Sequence, residues 1–357
     1  MKKLLLCGGG TGGHLFPAVA VAEEWQAMGG EVLFVGSGRK TEKDVLSRLG
    51  FPWRGISVVG LRGRGLRGAA GLLKLPVALK QSVAILRRFR PDVVLGVGGY
   101  SSGPVIVAAR LFFGVPCALQ EQNAEPGLTN RLLGRLVRRA FVSFPETERF
   151  FAGAARLTGN PVRRALLRPQ AARQAGRLGV LMFGGSLGAH SLNVAGTAML
   201  PHLVDLKGGL DIMHQTGERD LAQVRAGYEA AGFSSGARVA SFIHDMAEAY
   251  GSADVVICRA GATTLAELAA LGKASILVPY PHATGNHQEL NARAFERAGA
   301  AEVVLDRALD PRDLAGRLRA LLTDAPRRER MATAARALAR PEAARTIVQE
   351  LRVLAAC

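Results

Sequence analysis

Two stretches of the chain share one grammar. Leu6-Cys7-Gly8-Gly9-Gly10-Thr11-Gly12-Gly13-His14 and Met182-Phe183-Gly184-Gly185-Ser186-Leu187-Gly188-Ala189-His190 each run from an apolar segment, through a glycine loop with a hydroxyl residue, into a helical segment. A short continuous apolar run is the mark of a strand buried on both faces of a parallel sheet. A strand that passes through glycines straight into a helix is the opening unit of a doubly wound α/β sheet. One such opening at the start of the chain and another near its middle predict two domains, and 357 residues is the right length for them. The boundary is expected near 160–165, where Gly159-Asn160-Pro161-Val162-Arg163 has turn chemistry and a polar stretch, 164–177, follows.

The rest of the chain keeps the alternation. Strands are predicted at Lys3–Cys7, Val32–Val35, Val93–Val97, Pro116–Leu119, Val180–Phe183, Val255–Cys258 and Ile276–Val278. Helices are predicted at Pro17–Met28, Ser191–Leu200, Ala262–Leu271 and Asn286–Ala298, with Glu342–Leu354 as a terminal helix. Strands alternating with helices mean α/β with right-handed crossovers. A composition of 48% hydrophobic and 21% charged residues is that of a folded chain. No apolar run approaches the ~20 residues of a membrane span. Met1–Cys7 has the outline of a lipoprotein signal, but its three leucines are too few for a signal core, so it reads as the first strand of an unexported protein. Cys7, Cys117, Cys258 and Cys357 are too far apart for a metal or redox motif, which fits a reducing compartment.

The glycine loops carry the first chemistry. A loop at the carboxyl end of a parallel strand presents backbone N–H groups, and the following helix N-terminus favours an anion. Gly8, Gly10 and Gly13 fit the dinucleotide spacing, but the second strand ends Phe34-Val35-Gly36-Ser37-Gly38-Arg39, without the acid that would bind a ribose. The dinucleotide reading fails there. A glycine turn without a ligand competes for any single loop, and less so for three, counting Gly96–Gly103. The segment Cys258-Arg259-Ala260-Gly261-Ala262-Thr263-Thr264-Leu265-Ala266-Glu267 is more specific. Its first helical turn would face a phosphate, and Thr263 and Thr264 share a helix face with Glu267, whose carboxylate can accept from two ribose hydroxyls. A plain helix start with an acid favoured by the dipole is the alternative. No Asp-x-Asp pair offers to hold a metal on a diphosphate.

Net charge is +17, which calls for an anionic partner: nucleic acid, lipid headgroup or phosphorylated substrate. Between Asp44 and Asp92 there are ten bases and no acid, and a second acid-free run carries Arg131, Arg135, Arg138 and Arg139. Leu79, Val83 and Leu86 have helical spacing and read as core. Leu72, Leu73 and Leu75, ringed by Arg62, Arg64, Arg67 and Lys74, are surplus to that stripe and suit an anionic membrane surface. A solvated charged face is the alternative. Aromatic residues make up only 6% and no nucleic-acid-binding motif is present, so no nucleic acid is expected as partner.

Taken together, Gly8–Pro17, Gly96–Pro104, Glu121-Gln122-Asn123 with Gly127 and Asn130, Gly159–Arg163, Gly184–Gly188 with Asn193, Arg259–Glu267, and His287-Gln288 with Asn291-Ala292 resemble the MurG family. These are the bacterial UDP-N-acetylglucosamine transferases that convert lipid I to lipid II in peptidoglycan synthesis. The resemblance implies the GT-B fold: two Rossmann-like doubly wound parallel-sheet domains with the active site in the cleft between them. It implies an inverting transferase with no cofactor and no metal. The implied division is 1–162 for acceptor and membrane, 163–340 for UDP-GlcNAc, and 341–357 as a helix packing back toward the first domain. The implied donor site takes Thr11, Gly12 and Gly13 to line the cleft and Asn123 to reach the sugar. Arg163 and Ser186 would lie on the nucleotide-sugar side and Ile243 would read uracil. Ala262, Thr263, Thr264, Leu265 and Ala266 would hold the diphosphate, Glu267 the ribose and Gln288 the GlcNAc hydroxyls. His14 would be the general base toward the 4-hydroxyl of the acceptor sugar, with Glu121 second in line, although a lone His is as readily structural. The implied partners are UDP-GlcNAc, lipid I and the anionic inner leaflet, on the cytoplasmic face of the cell membrane. Gln120 stands where the family has His, and Gly285 where it has an acid. Other nucleotide-sugar enzymes of the same fold, such as a glycolipid synthase or a UDP-GlcNAc epimerase, and, on charge alone, a basic nucleic-acid-binding protein are the competing readings.

Overall fold

The computed structural model describes residues 1–10, 12–58, 74–168 and 176–356. The chain divides into two compact units, Met1–Arg164 with Arg340–Cys357, and Ala165–Ala339. In the first unit the strands are β1 (Lys3–Cys7), β2 (Glu31–Gly36), β3 (Trp53–Gly55), β4 (Val93–Gly96), β5 (Cys117–Glu121), β6 (Arg139–Val142) and β7 (Ala155–Leu157). They pair in the order β3-β2-β1-β4-β5-β6-β7, every pair parallel. In the second unit β8 (Leu178–Phe183), β9 (Leu210–Gln215), β10 (Ala237–Ala240), β11 (Val255–Cys258), β12 (Ala274–Leu277) and β13 (Glu302–Val303) pair in the order β10-β9-β8-β11-β12-β13, again all parallel.

Each sheet reverses its strand order once, between β1 and β4 and between β8 and β11. Ligands of open α/β sheets bind in the crevice outside the carboxyl ends of the strands at such a reversal. The three glycine loops and the turn after Cys258 follow β1, β4, β8 and β11. The sheet order therefore puts the sequence-predicted loops, two by two, at the point in each unit where a ligand fits.

The helix after β1 begins at Gly12, five residues before the predicted Pro17 start, and runs to Ala27. Pro17, sixth in the helix, has no N–H for the carbonyl of Gly13, so one i to i−4 bond is missing in its second turn. The early start carries His14 onto the first helical turn. The terminal helix, Ala343–Leu354, packs on Gly12–Ala27 and buries Ile347, Val348, Leu351 and Leu354 in the core of the first unit. Their spacing makes one apolar stripe. Arg139 and Arg156 both reach Glu350, at 3.5 and 3.8 Å, so charge pairs flank the same seam. Each such apolar side chain is worth about 1.5–3 kcal/mol when buried.

Candidate active site

In the first unit the loop after β1 is used differently from the sequence reading. Gly8, Gly9 and Gly10 have φ of 136°, 127° and 99°, which side chains rarely adopt. Their N–H groups are already taken: Gly8 donates to Val35 O at 3.1 Å, Gly9 to Gly98 O at 3.3 Å, and Gly10 to the carboxylate of Glu42. Glu42 is buried and also accepts from Ser37 Oγ at 3.0 Å. These glycines do not cradle a phosphate. They let two loops touch, since a Cβ on Gly99 would lie 2.6 Å from Gly9 O. Gly12 and Gly13 open the helix, with Gly13 exposed, and Thr11 lies outside the described residues.

His14 follows on that first turn, half-buried against the loop after β4. A Cβ on Gly98 would stand 2.9 Å from its Cδ2 and 3.0 Å from its Nε2, so only glycine leaves room for the ring. Asn130 Nδ2 is 3.5 Å from the same point. Glu121, at the end of β5, is 2% exposed. One carboxylate oxygen accepts from Asn123 N at 3.0 Å and Asn123 Nδ2 at 3.1 Å, the other from Gly127 N at 3.2 Å and Asn130 Nδ2 at 2.8 Å. A carboxylate has about four acceptor sites, and here all four are in use. Burial pushes the carboxyl upward, and the bonds from Asn123, Asn130 and Gly127 oppose that without cancelling it. With no lone pair left for an incoming hydroxyl, Glu121 organises Asn123 and Asn130 and is a poor base. Gln120 is fully buried and donates to Asn160 Oδ1 at 3.1 Å, a neutral amide in a scaffold. Arg163 lies over the ring of Phe16, 4.1 Å from its centroid.

In the second unit the loop after β8 is open. Among the described residues no acceptor takes the N–H of Ser186 or Leu187, and Ser186 is exposed. Gly188 and Gly217 interlock this loop with the one after β9: a Cβ on Gly188 would be 1.9 Å from Thr216 O. Gln215 ties both to a third segment, donating to Gly185 O at 2.7 Å and accepting from Ile243 N at 3.2 Å. The N–H of Ile243 is thus engaged. After β11 the helix Ala262–Leu271 starts behind Gly261. Ala262, Thr263 and Leu265 are buried, and Thr264 and Ala266 are half-buried. Glu267 is buried and accepts from Tyr250 OH at 2.9 Å. Burial raises the Cys258 thiol far out of reach, and the Glu267 charge adds to this. Gln288 accepts from Tyr280 N at 2.9 Å through Oε1, which leaves its NH2 group as a donor. Gly285 and Asn286, with φ of 59° and 54°, form the turn before it, and the left-handed backbone at 285 suits glycine better than an acid. Ser186, Ile243, Ala262–Glu267 and Gln288 all belong to the second unit, whereas Gly12, Gly13, His14, Glu121, Asn123 and Arg163 belong to the first. His190 pairs with Asp220 at 3.0 Å, His244 meets the Phe242 ring edge to face, and His287 bonds Thr284 O.

Of the basic patch, Lys74 and Leu75 are described and both are exposed; Arg62, Arg64, Arg67, Leu72 and Leu73 lie outside the described residues. The helix Leu75–Phe89 packs beside Ser102–Phe112. Lys74, Leu75, Val77 and Lys80 are exposed in the first turns of the first helix and Arg87 and Arg88 at its end, and Arg110, Leu111 and Phe112 are exposed at the end of the second. Among the described residues no helix is long and apolar enough to cross a membrane.

Comparison with known proteins places this geometry. Residues 4–142 match the glycosyltransferase family 28 N-terminal domain, and residues 179–347 match the family 28 C-terminal domain. The UDP-N-acetylglucosamine–N-acetylmuramyl-(pentapeptide) pyrophosphoryl-undecaprenol N-acetylglucosamine transferase of Anaeromyxobacter sp. (strain Fw109-5) is 51% identical over 97% of this chain and 91% of its own. The crystal structure of Acinetobacter baumannii MurG matches with a TM-score of 0.77 at 32% identity, covering 99% of this chain and 100% of that one. The chain belongs to the MurG family. It is a glycosyltransferase with the GT-B architecture of two parallel-sheet α/β domains. A putative UDP-N-acetylglucosamine 2-epimerase from Listeria monocytogenes has a TM-score of 0.74, but only 15% identity, over 99% of this chain and 96% of that one. That likeness is of fold alone, so identity, not architecture, separates MurG transferases from epimerases here.

Sequence reasoning missed several groups that hold the candidate residues of each unit in place. Glu42, Gln215, Tyr250 and Arg259 are buried polar side chains facing segments far along the chain. Only Arg259 stood in a quoted motif, and periodicity alone carries no signal for such pairings.

Proposed function

We propose that this chain moves GlcNAc from UDP-GlcNAc to the 4-hydroxyl of MurNAc in undecaprenyl-diphospho-MurNAc-pentapeptide, with inversion, giving lipid II and UDP. The observation that carries this reading is the 51% identity, over nearly its whole length, to a transferase of that name. The second unit is the donor side. Open amides after β8 and the N-terminus of the helix Ala262–Leu271 meet the diphosphate, which a helix N-terminus favours. Glu267, steadied by Tyr250, accepts from the ribose hydroxyls, the carbonyl of Ile243 accepts from uracil, and the Gln288 amide donates to the sugar.

The first unit is the acceptor side. Inversion needs one displacement, with a base on the attacking hydroxyl and a stabilised leaving group. His14 takes the proton from the 4-hydroxyl. Its support is positional: it stands on the first turn of Gly12–Ala27, clamped by Gly98, while Glu121 is spent on Asn123 and Asn130. Asn123 reaches the sugar and Arg163 lies on the nucleotide-sugar side, with Gly12 and Gly13 in the same helical turn as His14. Lys74, Leu75, Val77 and the basic residues around them hold the protein on the anionic cytoplasmic leaflet, where the lipid acceptor lies.

The test is incubation with UDP-GlcNAc and a lipid I analogue, with mass-spectrometric identification of the product. The disaccharide lipid and UDP are expected. UDP-GlcNAc converted without an acceptor into its 2-epimer or its hydrolysis products would overturn the reading in favour of an epimerase.

A further inference from the structure

Arg259, the residue after β11, is 8% exposed. Its guanidinium is the meeting point of four chain segments. Nη1 donates to Val278 O and Pro279 O, each at 3.1 Å, and to Asp306. Nη2 donates to Ser191 Oγ at 2.8 Å, and Ser191 Oγ donates onward to Asp306 Oδ2 at 2.7 Å. Val278 and Pro279 continue β12, Ser191 is in the first turn of the helix after the second glycine loop, and Asp306 comes shortly after β13. Nε is buried and donates to nothing among the described residues. A buried cation with one N–H unpaired is a weak way to gain stability, because desolvation offsets the pairing. What the arrangement does provide is geometry, since the planar guanidinium fixes several acceptors at once.

The fixed object is the strap that follows β12. Directly after the two carbonyls held by Arg259 comes Tyr280, whose N–H donates to Gln288 Oε1 at 2.9 Å, and whose ring lies 5.6 Å from the guanidinium. That bond decides which way the Gln288 amide faces. With Oε1 occupied, the NH2 group is the one presented to a ligand. If Val278 and Pro279 shift, the Tyr280 N–H shifts with them and Gln288 loses its orientation.

We propose that Arg259, braced by Asp306 and Ser191, is a positioning residue for recognition of the donor sugar: it holds the 278–280 strap so that Gln288 presents its NH2 group to the hydroxyls of the transferred sugar. This rests on the donor reading given above. Arg259 touches the strap and not the sugar, and its effect is confined to the sugar half of the nucleotide sugar.

The test uses the full-length protein and three variants, Asp306→Asn, Arg259→Lys and Ser191→Ala. Affinities for UDP and for UDP-GlcNAc are read by calorimetry, and KM and kcat with a lipid I analogue. Asp306→Asn and Arg259→Lys are expected to raise the UDP-GlcNAc KM on the order of tenfold, the scale of one charge-assisted hydrogen bond, while UDP affinity stays within about twofold. Ser191→Ala, which removes one neutral bond and is the variant safest for folding, moves in the same direction by less. In a Gln288→Ala background Asp306→Asn should add nothing, because both act through one group. Equal loss of UDP and UDP-GlcNAc would overturn the proposal, since Arg259 would then serve the diphosphate or the fold. Additive losses in the Gln288→Ala background would overturn it too. If the parent binds UDP but not UDP-GlcNAc, the donor reading itself fails, an outcome distinct from variants that match the parent.

Discussion

His214 sits on β9, fully buried, between Tyr228 OH at 3.2 Å from Nδ1 and Asn193 Oδ1 at 3.1 Å from Nε2. The Asn193 NH2 group is identified by its two acceptors, Thr216 O at 2.8 Å and Asp220 Oδ2 at 2.9 Å. Its Oδ1 must therefore accept, so Nε2 of His214 carries a proton. Burial pushes the imidazole pKa down to about 4. The unfolded chain binds a proton near pH 6.5 and the folded one only near pH 4, so the unfolded state holds more protons in between and stability is lost as pH falls through that window. At 1.36 kcal/mol per unit, the loss is about 2 kcal/mol from pH 7 to pH 5 and about 3 kcal/mol by pH 4. His214→Gln keeps a donor and an acceptor but does not titrate. The variant should be less stable than the parent at pH 7, with the gap closing by about 2 kcal/mol at pH 5. Tryptophan fluorescence is blind to this, because Trp25 and Trp53 both lie in the first unit. Hydrogen exchange of peptides covering β8 and β9 across a urea series reports the second unit directly. A parent–variant gap that stays constant from pH 7 to pH 5 would refute the reasoning, and with it the claim that burial keeps His214 neutral.

Glu267→Ala should weaken UDP and UDP-GlcNAc alike, by about 1–3 kcal/mol in calorimetry, because the ribose is common to both; unchanged UDP affinity would sink the ribose assignment. His14→Ala should cut turnover per folded molecule about 10²–10⁴-fold with UDP affinity kept; near-parent turnover would show that His14 is not the base. Gly98→Ala, which forces the His14 ring away, should lower turnover in the same direction while leaving UDP affinity unchanged. Replacing Lys74, Leu75 and Val77 with Ser should reduce sedimentation with anionic vesicles, by about 1 kcal/mol for the lost base plus the apolar contribution, and spare turnover of a short-chain soluble acceptor. Equal sedimentation of variant and parent would make the patch a solvated face.

Helix Ala262–Leu271 was predicted at the bounds it has, and the glycine loops were predicted at the carboxyl ends of their strands. These features are local. An apolar run, a glycine that permits φ > 0 and a small-residue turn act on their own stretch of chain, so they can be read residue by residue. Two identical-looking loops could not be told apart in the same way. The loop after β1 has its Gly10 N–H closed by Glu42, 32 residues away, whereas the loop after β8 is left open for a ligand. The difference lies in what folds against each amide, and no spacing within either loop encodes it.

The sequence by itself determined the alternation of strands and helices, the two-domain division and the family, because buried strands, turn chemistry and motif residues are properties of short segments. Only the tertiary structure decided which candidate groups remain available for chemistry. It spent all four acceptor sites of Glu121 on Asn123, Gly127 and Asn130, and placed His14 against Gly98. It gathered three distant segments around Arg259. The physical reason is that a buried polar group must find its partners wherever the sheet order brings them. That order is fixed by long-range strand pairing, which leaves no trace in local pattern.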